Sequence, residues 1–131
     1  MTLISLLYIY IAFRLKHFMC DFILQTDWMA LSKGQPGKEG YKALFSHTTI
    51  HAIGTLLIIL VFMPSLWWLA LIDFVVHSIV DRFKGVITLN KHWNTKDTAF
   101  WWAFGADQEL HNFTHLAYIV AIVIYQGGLA L

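Results

Sequence analysis

The chain has 131 residues, about the length of one domain, and its composition is strongly apolar. Hydrophobic residues make up 58% of it, against ~45–50% in an ordinary soluble domain. Charged residues make up only 13%, which leaves too few polar side chains to cover a globule in water. The formal net charge of +1 argues against nucleic-acid binding, and the single cysteine, Cys20, excludes an internal disulfide.

Four hydrophobic stretches are each long enough to cross a bilayer, which takes about 20 mostly apolar residues. They are predicted as helices over residues 3–31, 41–63, 66–87 and 107–125. The breaker segment 32–37 ends the first helix, and Pro64-Ser65 allows only a tight reversal after the second. The aromatic run 100–104, followed by Gly105, predicts a short interfacial segment before helix four. We expect an all-α fold: an integral membrane four-helix bundle of up-down-up-down topology, with residues 1–131 forming a single transmembrane domain.

Lysine and arginine residues concentrate in two of the connections. The first and third connections, with the adjoining helix ends, carry Lys33, Lys38, Lys42, Arg82, Lys84, Lys91 and Lys96. The second connection and the tail, residues 127–131, carry none. Because loops rich in Lys and Arg stay in the cytoplasm, both basic connections are predicted to be cytoplasmic.

Each predicted helix carries ionisable side chains four residues apart, a spacing that places them on one helical face. The pairs are His17/Asp21, His47/His51, His77/Asp81 and Asp107/His111, and His115 lies one turn beyond the last. Ionisable side chains at bilayer depth are costly, so each is a functional-site hypothesis. For His115 alone, a hydrogen bond to a neighbouring helix is an alternative to metal binding.

The alternating direction of the helices predicts two layers of these side chains, about 6 Å apart. One layer would hold the four imidazoles of His17, His51, His77 and His111, and the other would hold Asp21, His47, Asp81 and Asp107. Mixed imidazole and carboxylate ligands suit Zn, Fe, Mn or Co, and helical bundles are known to hold two-metal sites. We therefore expect two divalent transition-metal ions, with Zn favoured over Fe or Mn. His–Asp pairing as a metal-free proton relay is the alternative.

Basic residues continue the same helical faces. Arg14 and Lys84 lie three residues outside the first and third pairs, and we expect them to hold an anionic group such as phosphate. Snorkelling to an interface is the alternative for both. Asp107 is the candidate for proton transfer. Lys16 is predicted to point away from the ligand face and either to snorkel or to meet another helix. Asp73 is predicted to accept from the ring of His77 or to contact another helix.

Three motifs resemble a family of small bacterial and phage membrane proteins, the domain of unknown function number 3307. They are H-x-x-x-D with a trailing Gln (17–25), H-x-x-x-D-x-x-K (77–84) and D-Q-x-x-H (107–111). The resemblance covers nearly the whole chain and implies a four-span protein of the bacterial inner membrane, without an activity. The His-rich helices show a looser likeness to inner-membrane metal-dependent hydrolases regulated by the SOS repressor, which implies metal-dependent hydrolysis.

The leading functional hypothesis is a membrane-embedded metal-dependent hydrolase. Its substrate is expected to be phosphorylated or otherwise anionic, either a small molecule or lipid-linked, and reached from the cytoplasmic side. One alternative is a transporter of divalent ions or protons, which the apolar segments 56–62 and 119–125 disfavour. Others are a metal-braced structural or partner-binding protein and, with less support, a haem protein.

Overall fold

The fold is entirely helical in a computed structural model that describes residues 1–128, so residues 129–131 of the predicted single domain lie outside it. The helices are α1 (Leu3–Phe18), α2 (Asp27–Ser32), α3 (Gly37–Phe62), α4 (Leu69–Asn90) and α5 (Thr98–Tyr125). A π-helical turn, Met19–Ile23, extends α1, and a 3-10 turn, Pro64–Leu66, joins α3 to α4. No strand occurs within residues 1–128, so the all-α prediction is confirmed.

The four long helices close around a shared interior. Helix α1 packs against α3 and α5, α4 packs against α3 and α5, and the short α2 packs against α3. At one end of the bundle, which we name the terminal end, the amino group of Met1 donates to the Gly128 carbonyl at 3.1 Å. At the opposite loop end, Arg82 donates to the carbonyls of Lys33 and Gln35 at 3.0 and 2.7 Å.

The first predicted helix is broken rather than continuous from residue 3 to 31. It passes through the π-helical turn and stops before α2 begins at Asp27. The hydroxyl of Thr26 accepts from the backbone N–H of Met29 and caps α2, a local bond that competes with continued helix. The Gln25 side chain also folds back and donates to the Asp21 carbonyl at 3.1 Å.

Helix α5 shows that the predicted interfacial segment before helix four is wrong. The helix runs without interruption through residues 100–104 and Gly105. Glycine weakens a helix interior by only about 1 kcal/mol relative to alanine and keeps its backbone N–H, so it need not end the helix.

Two helices are long and apolar enough to cross a membrane, Leu3–Ile23 and Gly37–Phe62. The other two long helices, α4 and α5, are not among these candidate spans. Helix α4 carries four charged residues along its length, Asp73, Asp81, Arg82 and Lys84. Membrane association is therefore supported by two helices, and a four-span bundle is not confirmed.

The distribution of polarity inverts that of a soluble protein. Large apolar side chains lie on the outside, including Val61 at 76% and Phe83 at 71% exposure, whereas histidines, aspartates and two lysines are buried. Within residues 1–128, the main cluster of buried apolar side chains lies at the terminal end. We name this cluster the apolar plug; it consists of Ile9, Phe13, Ile59, Leu66, Leu69, Tyr118, Ile119 and Ile122.

Candidate metal centre

All nine residues predicted as metal ligands face the interior between the four long helices. Eight are buried and Asp21 is partly buried. We name them the ligand cluster: His17, Asp21, His47, His51, His77, Asp81, Asp107, His111 and His115. Spacing of four residues thus identified a real inward face on every long helix.

Within the cluster, ligand atoms converge in three sets of three residues. Within each set, one ligand atom from each of three residues lies within 4.8 Å of the other two. The sets are His17/His77/His115, Asp21/His47/His51 and Asp81/Asp107/His111. The four imidazoles of the predicted histidine layer, His17, His51, His77 and His111, do lie together, with ring centroids 3.9–6.3 Å apart. Contacts also join this layer to the carboxylates one helical turn away: His17 Nε2 lies 3.2 Å from Asp21 Oδ2.

Asp21 lies in the π-helical turn and contacts both histidines of the second set. His51 Nε2 lies 2.9 Å from Asp21 Oδ1. His47 Nε2 lies 3.3 Å from the same oxygen and 3.2 Å from Asp81 Oδ2. His47 Nε2 therefore lies between a carboxylate of the second set and a carboxylate of the third.

Gln108 is a site residue that the sequence reasoning missed. Its Nε2 donates to Asp21 Oδ2 at 2.9 Å, and its Oε1 lies 3.1 Å from His17 Nε2. Gln108 thereby fixes two ligands on α1 from its position on α5. The signal was present in the D-Q-x-x-H motif, where the glutamine follows Asp107 directly.

The third set places two carboxylates around one imidazole. His111 Nε2 lies 3.8 Å from Asp81 Oδ1 and 3.6 Å from Asp107 Oδ1. These distances exceed those of hydrogen bonds, yet the three atoms converge. Two buried carboxylates that face each other need a cation between them or beside them.

Several ligand atoms are buried and have no hydrogen-bond partner within residues 1–128. They include His47 Nε2, His77 Nε2, Asp81 Oδ2 and Asp107 Oδ1. A buried polar atom without a partner costs free energy, and native structures contain few of them. Coordination to a cation would satisfy these lone pairs, and the nitrogen and oxygen donors fit Zn, Fe or Mn.

Two lysines contact the carboxylates of the third set, the partly buried Lys84 and the buried Lys33. Lys84 Nζ lies 2.8 Å from Asp107 Oδ2, as its predicted position on the ligand face implied. Lys33 was predicted as a loop residue, but its Nζ lies 3.1 Å from Asp81 Oδ1 and 2.9 Å from Gln25 Oε1. The helix break before α2 turns Lys33 into the bundle.

Lys16 and Asp73 form a buried ion pair beneath the His17/His77/His115 set. Their Nζ and Oδ2 atoms are 2.9 Å apart, and the side chains are 5% and 0% exposed. Asp73 Oδ1 also lies 3.2 Å from His77 Nδ1, and Lys16 Nζ lies 3.3 Å from His115 Nε2. Lys16 points inward and meets another helix, so the prediction that it points away from the ligand face is wrong.

Arg14 is exposed and makes no ion pair or side-chain hydrogen bond with the residues that the structure describes. The inward face of α1 is centred on Phe13, Lys16 and Cys20. Arg14 is rotated about 60° from His17 in the direction away from them. It therefore does not continue the ligand face, and its predicted role in holding an anion stays a prediction.

A cavity of about 400 Å³ opens beside the cluster at the loop end. Gln25, Lys33 and Lys84 line it, and the two lysines connect it to the carboxylates of Asp81 and Asp107. The terminal end is closed by the apolar plug, where the Phe13 ring stacks on His115 at 5.0 Å between centroids. We name the cavity lined by Gln25, Lys33 and Lys84 the loop-end cavity.

The comparisons with known proteins identify a family and no activity. The family model described as "Protein of unknown function (DUF3307)" matches residues 9–130. Searches of curated proteins and of solved structures found no match. The match confirms the family resemblance in the three motifs, whereas the likeness to metal-dependent hydrolases stays a prediction.

Proposed function

The chain belongs to the DUF3307 family, and from the site we propose that it is a membrane-embedded, metal-dependent hydrolase with a binuclear centre. The proposed substrate is phosphorylated or otherwise anionic and enters from the loop end. The convergence of nine inward-facing His and Asp side chains, several with ligand atoms that lack partners, carries this proposal.

A bilayer is the environment that best suits this distribution of side chains. Exposed Leu, Ile, Val and Phe side chains cover the outer surface of the long helices, and the polar groups are paired inside, as expected of helices in lipid. We propose that all four long helices cross the inner membrane, including α4 and α5, whose carboxylates Asp73, Asp81 and Asp107 are buried in the interior. The lysine-rich loop end would face the cytoplasm.

The two carboxylate-containing sets are the proposed metal sites. Asp21/His47/His51 and Asp81/Asp107/His111 each offer imidazole and carboxylate donors, and His47 lies between them. The His17/His77/His115 set has no carboxylate among its members, and the ammonium group of Lys16 is 3.3 Å from His115 Nε2. That positive charge disfavours a third cation.

The charges of the centre favour an anionic substrate. Asp21, Asp81 and Asp107 with Lys33 and Lys84 leave one net negative charge, which two divalent ions would convert to three positive charges. Lys33 and Lys84 would then bind the anion, because the ions would take over much of their interaction with the carboxylates. Bound divalent ions would acidify a water molecule and polarise the ester, and Asp107 would move the proton.

The apolar plug argues against the transport alternative. A conduit for ions or protons needs polar groups that continue to the far side. Beyond Asp73 and His115, the interior is filled by buried apolar side chains such as Ile9, Ile59 and Ile122. The site is therefore open towards one side only.

Metal content tests the proposal directly. Protein purified without chelator is expected to carry about two equivalents of transition metal by elemental analysis, and His47→Ala to lose most of it, because His47 is a ligand of one set and also contacts Asp81 of the other. His92→Ala is the matched control, since His92 is exposed in the loop before α5. Metal-dependent cleavage of a chromogenic phosphate ester, abolished by EDTA, is the expected activity.

A folded wild-type protein that carries no transition metal after gentle purification would refute the metal centre. Equal metal loss in His47→Ala and His92→Ala would assign the metal to adventitious histidines. Two bound ions without cleavage of any phosphate ester would reject the hydrolase and leave a metal-braced structural protein.

A further inference from the structure

A groove runs between α4 and α5 on the outside of the bundle. Its volume is about 620 Å³ and its lining is mostly apolar. On the α5 side it is lined by Ala99, Ala103 and Ala106, which lie at helical positions i, i+4 and i+7 and so share one face. Phe83 and Ile87 form part of the α4 wall.

The groove and the loop-end cavity meet at Lys84. Lys84 and Trp93 line both spaces, and Asp107, a proposed metal ligand, also lines the groove. Lys84 Nζ is 2.8 Å from Asp107 Oδ2 and 5.7 Å from the centroid of the Phe104 ring. An apolar channel open to the side thus reaches a partly buried cation beside the ligand cluster.

We propose that the substrate is a lipid with an anionic, phosphate-containing head group. Its head group would occupy the loop-end cavity against Lys33 and Lys84, and one acyl chain would lie in the α4/α5 groove. This inference rests on the proposed function and names the substrate class of the same site. Hydrolysis would break a phosphorus–oxygen bond of the head group: water supplies oxygen to phosphorus, and a proton goes to the departing alcohol.

The amphipathic character of the combined space favours a lipid over a water-soluble anion. Two lysines complement a negative head group, whereas the groove offers an apolar wall that a soluble anion would leave unused. Trp102 lines the groove and is 73% exposed, as are the tryptophans that mark the head-group level of a bilayer. A lipid would therefore enter the site laterally from the bilayer, through the α4/α5 groove.

A second hollow on the outer surface serves as a control site, because it would be occupied equally if lipid contact were non-specific. It lies between α2, α3 and α4, is lined by Trp28, Tyr41, Phe45 and Phe74, and measures about 980 Å³. None of the nine ligand-cluster residues lines it. Lipid that covers the bundle without selection would occupy this larger hollow as readily as the α4/α5 groove.

Photo-crosslinking in nanodiscs tests the proposal on the full chain. The probe is phosphatidic acid with a diazirine in one acyl chain, compared with phosphatidylcholine carrying the same chain. We expect phosphatidic acid to label α4/α5 groove residues about tenfold more than phosphatidylcholine does, and to show a smaller preference at the second hollow, where the lining lysines, Lys38 and Lys42, are solvent-exposed. Lys84→Met should abolish the preference.

Groove-filling variants provide the matched comparison. Ala103→Trp and, at a more exposed position, Ala106→Trp should reduce labelling of the groove about tenfold. Ala117→Trp is the control, because Ala117 is exposed on the same helix and lies outside the groove lining. Unchanged labelling in both groove variants would overturn the proposal.

Two further results would overturn it. One is equal labelling by the two lipids, which would make the groove ordinary lipid contact. The other is complete competition by millimolar glycerol phosphate, which would identify a water-soluble anion as the ligand. Metal content is measured on the same samples, so two bound ions without lipid preference reject this inference alone. Absent metal rejects the proposed function, whatever the labelling shows.

Discussion

The Lys16–Asp73 ion pair is the most deeply buried charge pair in the described chain. Asp73 also accepts from the Thr55 hydroxyl at 2.8 Å and contacts His77 and His115 at 3.2 and 3.6 Å. One carboxylate thus positions two imidazoles from below. A pair of this kind contributes little net stability, but removal of one partner leaves the other charge buried and uncompensated.

Lys16→Met is therefore expected to destabilise the protein by about 3–5 kcal/mol. The measurement is thermal or denaturant unfolding in detergent. Lys38→Met is the matched control, because Lys38 is exposed near the start of α3. The double variant Lys16→Met/Asp73→Asn should recover much of the loss. An equal effect of both lysine substitutions would contradict this view of the pair.

At the scale of residues, the sequence predicted which residues belong to the site but not which side chains contact each other there. Spacing of four residues found the inward faces because the helical period alone decides them. Gln108 and Lys33 were missed, and the contacts of Lys16 with Asp73 were not foreseen. Which side chains meet depends on helix rotation, on the π-helical turn and on the break before α2, and single-helix periodicity does not contain this information.

At the scale of elements, the contact between the α2–α3 connection and α4 decides where Lys33 lies. Gly34 and Gly85 face each other so closely that a Cβ added at Gly85 would lie 2.7 Å from the Gly34 Cα. Arg82 holds the same connection through two backbone carbonyls. Together these contacts position Lys33 for its ion pair with Asp81.

Gly85→Ala is expected to destabilise the bundle by about 1–3 kcal/mol, because the added methyl group meets backbone that cannot rotate away. Gly105→Ala is the matched change, since a Cβ there meets nothing within 4 Å. It should stabilise α5 by about 0.5–1 kcal/mol. Unfolding curves in detergent compare the two, and shifts in the same direction would disprove the assignment of the close approach.

Local backbone chemistry decides where the helices begin and end, whereas the sequence analysis gave more weight to the hydrophobic pattern. The Thr26 cap was legible as a threonine before Asp27, yet the apolar run to residue 31 favoured one long helix. At Gly105 the opposite error occurred, because a residue that only weakens a helix was taken as its boundary. The first error concerns where a helix ends, and the second concerns a glycine inside α5; hydropathy alone decides neither.

At the scale of the whole molecule, composition predicted an interior more polar than the surface, and the described chain has that distribution. The arrangement of the four long helices in a membrane remains a proposal with a direct test. Labelling of single cysteines in intact bacterial cells, in a Cys20→Ser background, reports the side on which each end lies.

Ser65→Cys at the terminal end is expected to react with a membrane-impermeant maleimide from outside the inner membrane. Asn94→Cys at the loop end should react only after lysis, because basic loops remain in the cytoplasm. Both positions are exposed, so accessibility alone does not separate them. The reverse pattern would show that the orientation is opposite to the one proposed. Labelling of both cysteines in sealed cells would reject the proposed orientation.

The apolar plug has a consequence for the energetics of a cell. A string of imidazoles and carboxylates that ran from face to face would let hydrogen ions leak down their gradient. Here the string stops at Phe13, which stacks on His115, and Ile59 and Ile122 lie beyond it with 0% exposure. In the proposed membrane orientation, the ligand cluster therefore provides no continuous polar path for hydrogen ions between the two faces of the bilayer.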